Sequence, residues 1–485
     1  MALRADIVTE MRVMRDTFDS LPFGAAMRTT ATLAATSALL LSLAACSPDE
    51  PESSGDGSIV FWTPYTTPER IALQQPVIDA FTESTGIEVE MVPLEPDQMS
   101  QLLVTNAASG DVPDVIAHNP SSTAAWASQG LLDTEAPGEV VDALGEGTFS
   151  ASALQMVTID DALNAVPSDG WGHMIAYRTD LFEDAGLGPP ESVADVADAA
   201  EALQGDGIAG MAIGTMPGDL YTTEGIESML LPFGCHLASG GEVTLGADEC
   251  VTGLEQYQRL AATAGSGQLD VDAARAAYLA GDAAMVLFSS HFVDEAAGLD
   301  VDNPVTCDEC ADNPRFLAEN TGFVTGLTGT GKEPAVAYGQ TTNYGIPSGA
   351  NTADAKTFIE YMMSDGYVET LGSATEGRIP VRQGPSGTST EYVDGWAELR
   401  FGNDSTQDES IADVYGPELV DRMAFGADHL TRWGWGTSDA ELAGVVFTQT
   451  ILANEAEPLF DGADPAEVAA SMAEAVTAAQ QDLGG

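Results

Sequence analysis

The chain has 485 residues, 44% of them hydrophobic and 19% charged. That is enough for two or more cores, since single domains usually run to about 100–200 residues. Its 16 basic and 76 acidic residues give a formal charge of −60, a field that repels polyanions and excludes nucleic acid as a partner. The same acidity reads as a surface tuned for solubility, because net charge speaks to solubility and association and not to fold.

Residues 27–46 open with Met-Arg-Thr-Thr, run through an apolar stretch from Ala31 to Ala45, and end at Cys46. The run is shorter than the ~20 residues a bilayer span needs and has the basic start and small-residue end of a secretory leader. Leu43-Ala44-Ala45-Cys46 resembles the bacterial lipobox. That resemblance implies cleavage before Cys46, lipidation of its thiol, and a signal peptide over 1–45, with 46–57 as a polar tether to the membrane. Asp6, Glu10, Asp16 and Asp19 do not suit a secretory start, and Met27 is the alternative one.

The remaining cysteines are Cys235, Cys250, Cys307 and Cys310. An even number in an oxidising compartment suggests two disulfides, and sequence proximity favours 235–250 and 307–310 among the three pairings. A zinc site is disfavoured because Cys235 and Cys250 lack the second close pair such sites show. The five histidines are scattered with no i, i+4 pair, so no metal or other cofactor is expected.

After the tether, Ile59-Val60-Phe61-Trp62 reads as a buried strand. Thr66 and Glu69 form a candidate capping box with Pro68 in the first turn. Pro76 is expected to kink or restart that helix, with Val77, Ile78 and Phe81 on its apolar face and Gly86 as C-cap. Ile87, Val89 and Met91 alternate as a strand. A helix over 96–108 leads to a strand at Asp114 to Ala117. The order β-α-β-α-β predicts a parallel sheet with right-handed crossovers. A second α/β stretch begins near 166, with a helix capped by Ser192 and Asp195 and a buried strand over Ala283 to Phe288. Thr352 is expected to cap a helix carrying Phe358, Ile359 and Met362. The last helix starts at Asp464, Pro465 and Glu467 and buries Val468, Met472 and Val476. Two α/β lobes with a cleft between them is the economical architecture.

Several segments resemble the family 1 extracellular solute-binding proteins. They are Val112-Pro-Asp-Val-Ile116, Gly130-Leu-Leu-Asp133, Tyr177 to Pro190, Gly281-Asp-Ala-Ala-Met285 and Gly377-Arg-Ile-Pro-Val381, in the family's order across about 58–485. The stretch 292–335, with Cys307 and Cys310, departs from the pattern. The resemblance implies a type II periplasmic-binding-protein-like fold with lobes at 58–166 plus 322–378 and 167–321 plus 379–485. It also implies a ligand in the cleft, no catalysis, a monomer, and closure sensed by ABC permease subunits.

A sugar needs paired hydrogen bonds for its hydroxyls and flat apolar surfaces for its C–H faces. Residues at predicted strand ends and turns supply the candidates: Trp62, Tyr65, His118, Asn119, Trp171, His173, Ser290, His291, Trp433 and Trp435. The ordinary reading of each is core packing or a satisfied polar wall. Trp433 and Trp435, in Arg432-Trp-Gly-Trp-Gly436, are the exception, because flanking glycines leave little local core. A cationic solute such as a polyamine is the alternative on the same fold, with Asp169 and Asp219 as its candidate carboxylates. Phosphorylated sugars would call on Arg378 or Arg382. A secreted hydrolase finds no serine elbow, zinc helix or acid motif. Gly326 to Lys332 matches most of a P-loop, but Glu333 replaces the Ser/Thr that would hold magnesium, so it reads as a turn.

Overall fold

The computed structural model describes residues 57–403 and 406–483, with the side chains of Glu69 and Asp97 outside it. The leader over 1–45, Cys46 and the tether up to residue 56 lie outside the described residues.

The chain first builds three parallel strands, each handing over to a helix. β1 (Ser58–Thr63) is followed by α1 (Pro68–Thr85), β2 (Glu88–Pro93) by α2 (Pro96–Ser109), and β3 (Val115–His118) by α3 (Pro120–Ser128). β1 pairs in parallel with β2 on one side and β3 on the other. The N-cap of α1 is Thr67, one residue later than the expected Thr66, and its hydroxyl accepts from the Arg70 backbone N–H. Thr66 instead donates to Glu95. Pro76 does not interrupt α1, which runs unbroken to Thr85 and ends at Gly86 with φ 77°. The proline removes one helical hydrogen bond, but Val77, Ile78 and Phe81 around it are fully buried, and that burial outweighs the loss.

β4 (Val166–Arg178) is the longest strand and joins the two halves of the molecule. Helices α4 (Val193–Leu203), α5 (Leu220–Leu230) and α6 (Asp248–Ala262) follow, then β5 (Met285–Ser289), β6 (Thr321–Thr325) and β7 (Ala337–Gly345). The first half of β4 pairs antiparallel with β7, from Tyr344 opposite Val166 to Gly339 opposite Gly172. Its second half pairs with β5 and β6 on its two sides. On its other edge β7 pairs antiparallel with β3 through Asn343, Tyr344 and Gly345. One backbone-bonded sheet therefore runs through both lobes, in the order β6-β4-β7-β3-β1-β2.

β6 lies beside the second half of β4, and β7 pairs with both β4 and β3. β8 (Ile379–Pro380) pairs with Gly170 and Asp169, and Tyr392 packs edge-on against Tyr367.

α7 (Thr352–Met362) buries Phe358 against Phe61 and Phe81. Its N-cap is Asn351, one residue before the expected Thr352. A short strand, β9 (Leu430–Thr431), pairs with the start of β7. The final helix α8 (Pro465–Leu483) buries Val468, Met472 and Val476, as its pattern requires. Among the described residues the hydrophobic interior forms two large clusters and two small ones. The first holds Phe61, Phe81 and Phe358 and extends to Tyr278, Phe288 and Phe292, the second centres on Val196, Met229, Tyr257 and Met472, and the small ones gather around Trp62 and Trp435. Both disulfides form, Cys235–Cys250 and Cys307–Cys310.

Candidate functional site

A parallel α/β sheet concentrates ligand contacts beyond the carboxyl ends of its strands, where strand-to-helix turns leave backbone N–H groups and helix N-termini unpaired. A well-formed cleft lies there. It encloses about 200 Å³ and is lined by the first turns after β1, β2 and β3, by the middle of β4 and β7, and by the turns after β5 and before β8. The first turns contribute Pro64, Tyr65, Arg70, Pro96, Met99, Asn119 and Ser122; Ala117 and His118 close β3. Trp171 and Thr342 come from the two crossing strands, and His291, Ala374, Gly377 and Arg378 from the far side.

Five of the ten residues proposed from sequence meet in this cleft: Tyr65, His118, Asn119, Trp171 and His291. Tyr65 follows β1 with the guanidinium carbon of Arg70 5.4 Å from its ring centroid and that of Arg378 at 5.2 Å. Burial pushes its phenol up, with Arg378 opposing. His118 is a wall group with both nitrogens committed. Nδ1 lies 3.1 Å from the Ile116 carbonyl, which only accepts, so Nε2 accepts from the Thr123 hydroxyl at 3.0 Å. Burial lowers its pKa to about 4, and Trp126 packs on its ring at 4.8 Å. Asn119 caps α3, its side-chain oxygen accepting from the Ser122 N–H and the Ser121 hydroxyl. Burial, followed by the positive field of Arg70, pushes His291 down, against the pull of Glu376 and Asp169. Its ring lies so close to Gly377 that a Cβ at that position would collide with it, which accounts for glycine in the turn.

Arg378 is the main polar strut of the far wall. It is 3% exposed, and its terminal nitrogens donate at 2.7 Å to Asp169, to the Ser373 hydroxyl and to the Thr370 carbonyl. Asp169 is thus already neutralised by a buried partner. Asp219 caps α5 by accepting from the Thr222 N–H. Neither carboxylate lines the cleft, and among the described residues no other carboxylate does. Arg382 lies elsewhere, bonded to Thr148 and to the carbonyls of Leu144 and Met363.

The other five candidates lie in the interior. Trp62 packs with Met99, Leu103, Ile116, Trp126 and Leu132. His173 contacts Ser228 at 2.8 Å and Glu224 at 3.5 Å. Ser290 is fully buried, its N–H donating to Gly172. Trp433 donates from its indole to the Cys235 carbonyl at 2.7 Å, and Trp435 packs against Met156, Ala337, Leu430 and Ala440. The glycines around the last two do not present them outward. Gly434 (φ 81°) and Gly436 (φ 70°) let the loop press against Ala443 and the Gln155 backbone, where a Cβ would clash, and this turns both indoles inward. Arg70, Met99, Ser122 and Thr342 were missed by sequence reasoning. For Arg70, Met99 and Ser122 the signal is position, since the first two turns of a helix after a parallel strand face the cleft, whereas Thr342 is brought there only by the pairing of β7 with β4.

With this geometry, the chain belongs to the bacterial extracellular solute-binding protein family, whose profile matches residues 66–369. Its fold is the type II two-lobed solute-binding architecture. Among curated proteins it is 27% identical to YcjN of Escherichia coli (strain K12), provisionally assigned as an ABC transporter periplasmic-binding protein, over 85% of this chain and 92% of that one. Among solved structures it is similar to the cyclic alpha-maltosyl-1,6-maltose binding protein of Arthrobacter globiformis. There the TM-score is 0.65 and the identity 16%, over 88% of this chain and 99% of that one. It is also similar to an extracellular solute-binding protein of Staphylococcus aureus in complex with maltose, with TM-score 0.63 and 15% identity over 88% and 99%.

Proposed function

We propose that this chain is the substrate receptor of an ABC importer, held outside the cytoplasmic membrane by lipid on Cys46, and that it closes on a saccharide. It acts without catalysis, as a monomer, and hands its ligand to permease subunits. The observation that carries this reading is the cleft itself. The Tyr65 and Trp171 rings share it with Arg70, Asn119, Ser122 and Thr342, which supplies flat surfaces for C–H faces and polar groups for hydroxyls. The cleft lies where β4 and β7 pass between the halves, so a bound ligand is placed to bias a hinge. Its volume of about 200 Å³ is below the roughly 300–1,000 Å³ usual for drug-sized ligands, which favours a small saccharide. Saccharides are named as ligands of the two similar solved structures. A polyamine is disfavoured, because Asp169 is occupied by Arg378 and Asp219 lies outside the cleft.

Calorimetry against a panel of mono- and oligosaccharides tests the reading. At least one is expected to bind with micromolar affinity, about −8 kcal/mol, and Tyr65→Ala or Trp171→Ala to weaken it about tenfold, the loss of an aromatic platform. A flat response across the panel removes saccharides as the ligand class. Radiolabelled palmitate is expected to enter the protein in a bacterial host and to be lost in Cys46→Ser.

A further inference from the structure

The polar groups of the cleft are unbalanced, and the imbalance constrains what can sit there. A neutral sugar both donates and accepts through each hydroxyl, so a site for one offers acceptors as well as donors. Here the side-chain acceptors other than the hydroxyls of Tyr65, Ser122 and Thr342 are committed. Both ring nitrogens of His118 are satisfied internally, the Asn119 oxygen already takes two donors, and no described carboxylate lines the space. Donors are in surplus. Among the described residues Arg70 has no hydrogen bond from its guanidinium and no carboxylate partner, only the Tyr65 ring beside it. Arg378 lines the same cleft, but its terminal nitrogens are bonded to Asp169, Ser373 and Thr370 and its unpaired Nε–H is enclosed, so it contributes positive charge to the wall and not an open donor. The N-terminal turns of α1, α2 and α3 border the same space and add positive potential.

Resting on the saccharide reading, we propose that the sugar taken by this site is anionic. Its carboxylate or phosphate oxygens sit beside Tyr65, within reach of Arg70 and in the positive field of Arg378. Arginine forks match either group. The overall charge of −60 does not forbid this, because at physiological ionic strength fields decay over about 8 Å and the groups at the cleft dominate. The long-range repulsion slows capture at low salt, so association with an anionic ligand quickens as salt is added.

Calorimetry at 150 mM salt compares a galacturonate-terminated disaccharide, galactose 6-phosphate and the neutral galactose-terminated disaccharide. One of the two acids is expected to bind at least tenfold more tightly than the neutral sugar. Preference for the uronide assigns the seat to a planar carboxylate, and preference for the phosphosugar to a tetrahedral anion. Arg70→Gln is expected to cut acid affinity at least tenfold more than neutral affinity, with Arg70→Lys between. Superimposable circular-dichroism melts establish that both variants fold. A neutral sugar bound as tightly as its acids, or an Arg70→Gln loss equal for both, overturns the anionic seat and leaves the saccharide receptor standing. No saccharide bound in any arm overturns both.

Discussion

His118 and Asp169 show how single groups are held at the cleft. Both were visible as polar residues near strand ends, but their states are set by neighbours: Thr123 and Trp126 in the following helix for the histidine, and the sequence-distant Arg378 for the aspartate. The folded His118 has a pKa of about 4 because burial penalises the imidazolium, against about 6.5 in the unfolded chain. Unfolding therefore takes up a proton below about pH 6.5. The stabilisation from a neutral His118 is fully present above that pH and is lost as pH falls towards 4, on the order of 3 kcal/mol. Glu295 works in the opposite sense, since burial raises it to about 7 and stability from that group grows as pH falls from there. Comparing urea unfolding of the parent and His118→Gln at pH 7 and pH 4.5 isolates the histidine. The parent is expected to lose its lead over the variant at the lower pH, and a constant difference would count against the assignment.

At the scale of elements, local sequence signals placed the helices and strands they named with ends within one or two residues. Gly86 terminates α1 and Ser192 caps α4 as expected. The caps of α1 and α7 moved by one position because Thr67 and Asn351 compete with adjacent residues that are also good caps. The Trp433–Trp435 loop misled for a tertiary reason. Its glycines serve close approach to Ala443 and Gln155, and no local pattern separates that role from an open turn. The Cys235–Cys250 bridge closes a separation of 15 residues and ties the turn before α6 to that helix, worth roughly 3 kcal/mol in the chain-entropy model. The double variant Cys235→Ala/Cys250→Ala is expected to lose about that much in urea denaturation. An unchanged midpoint would show that the bridge adds nothing to the packing around Trp433.

Over the whole molecule, charge and connectivity govern behaviour. With 76 acidic residues against 16 basic ones, like-charge repulsion opposes the compact state, and screening relieves it. The melting temperature is expected to rise from low to molar sodium chloride, and a flat curve would show that repulsion does not limit stability. The two lobes are coupled by continuous backbone in β4 and β7, which cross with Gly172 opposite Gly339. A Cβ on Gly172 would press on Leu430 at 2.9 Å and on the Tyr338 carbonyl at 3.0 Å, so the crossing is tight.

The sequence by itself determined the α/β class, the parallel start of the sheet, several element boundaries and the family, because periodicity, caps and short ordered segments are local properties. Five of its ten candidate residues line the cleft: Tyr65, His118 and Asn119 at the ends of the first and third parallel strands, Trp171 within β4 and His291 after β5. Tertiary structure alone decided which aromatic rings reach the cleft and which fill the core, that Asp169 is cancelled by Arg378, and that β6 pairs with the second half of β4. Each of these depends on which side chains meet across long stretches of chain, and burial, ion pairing and close backbone approach are set by that meeting.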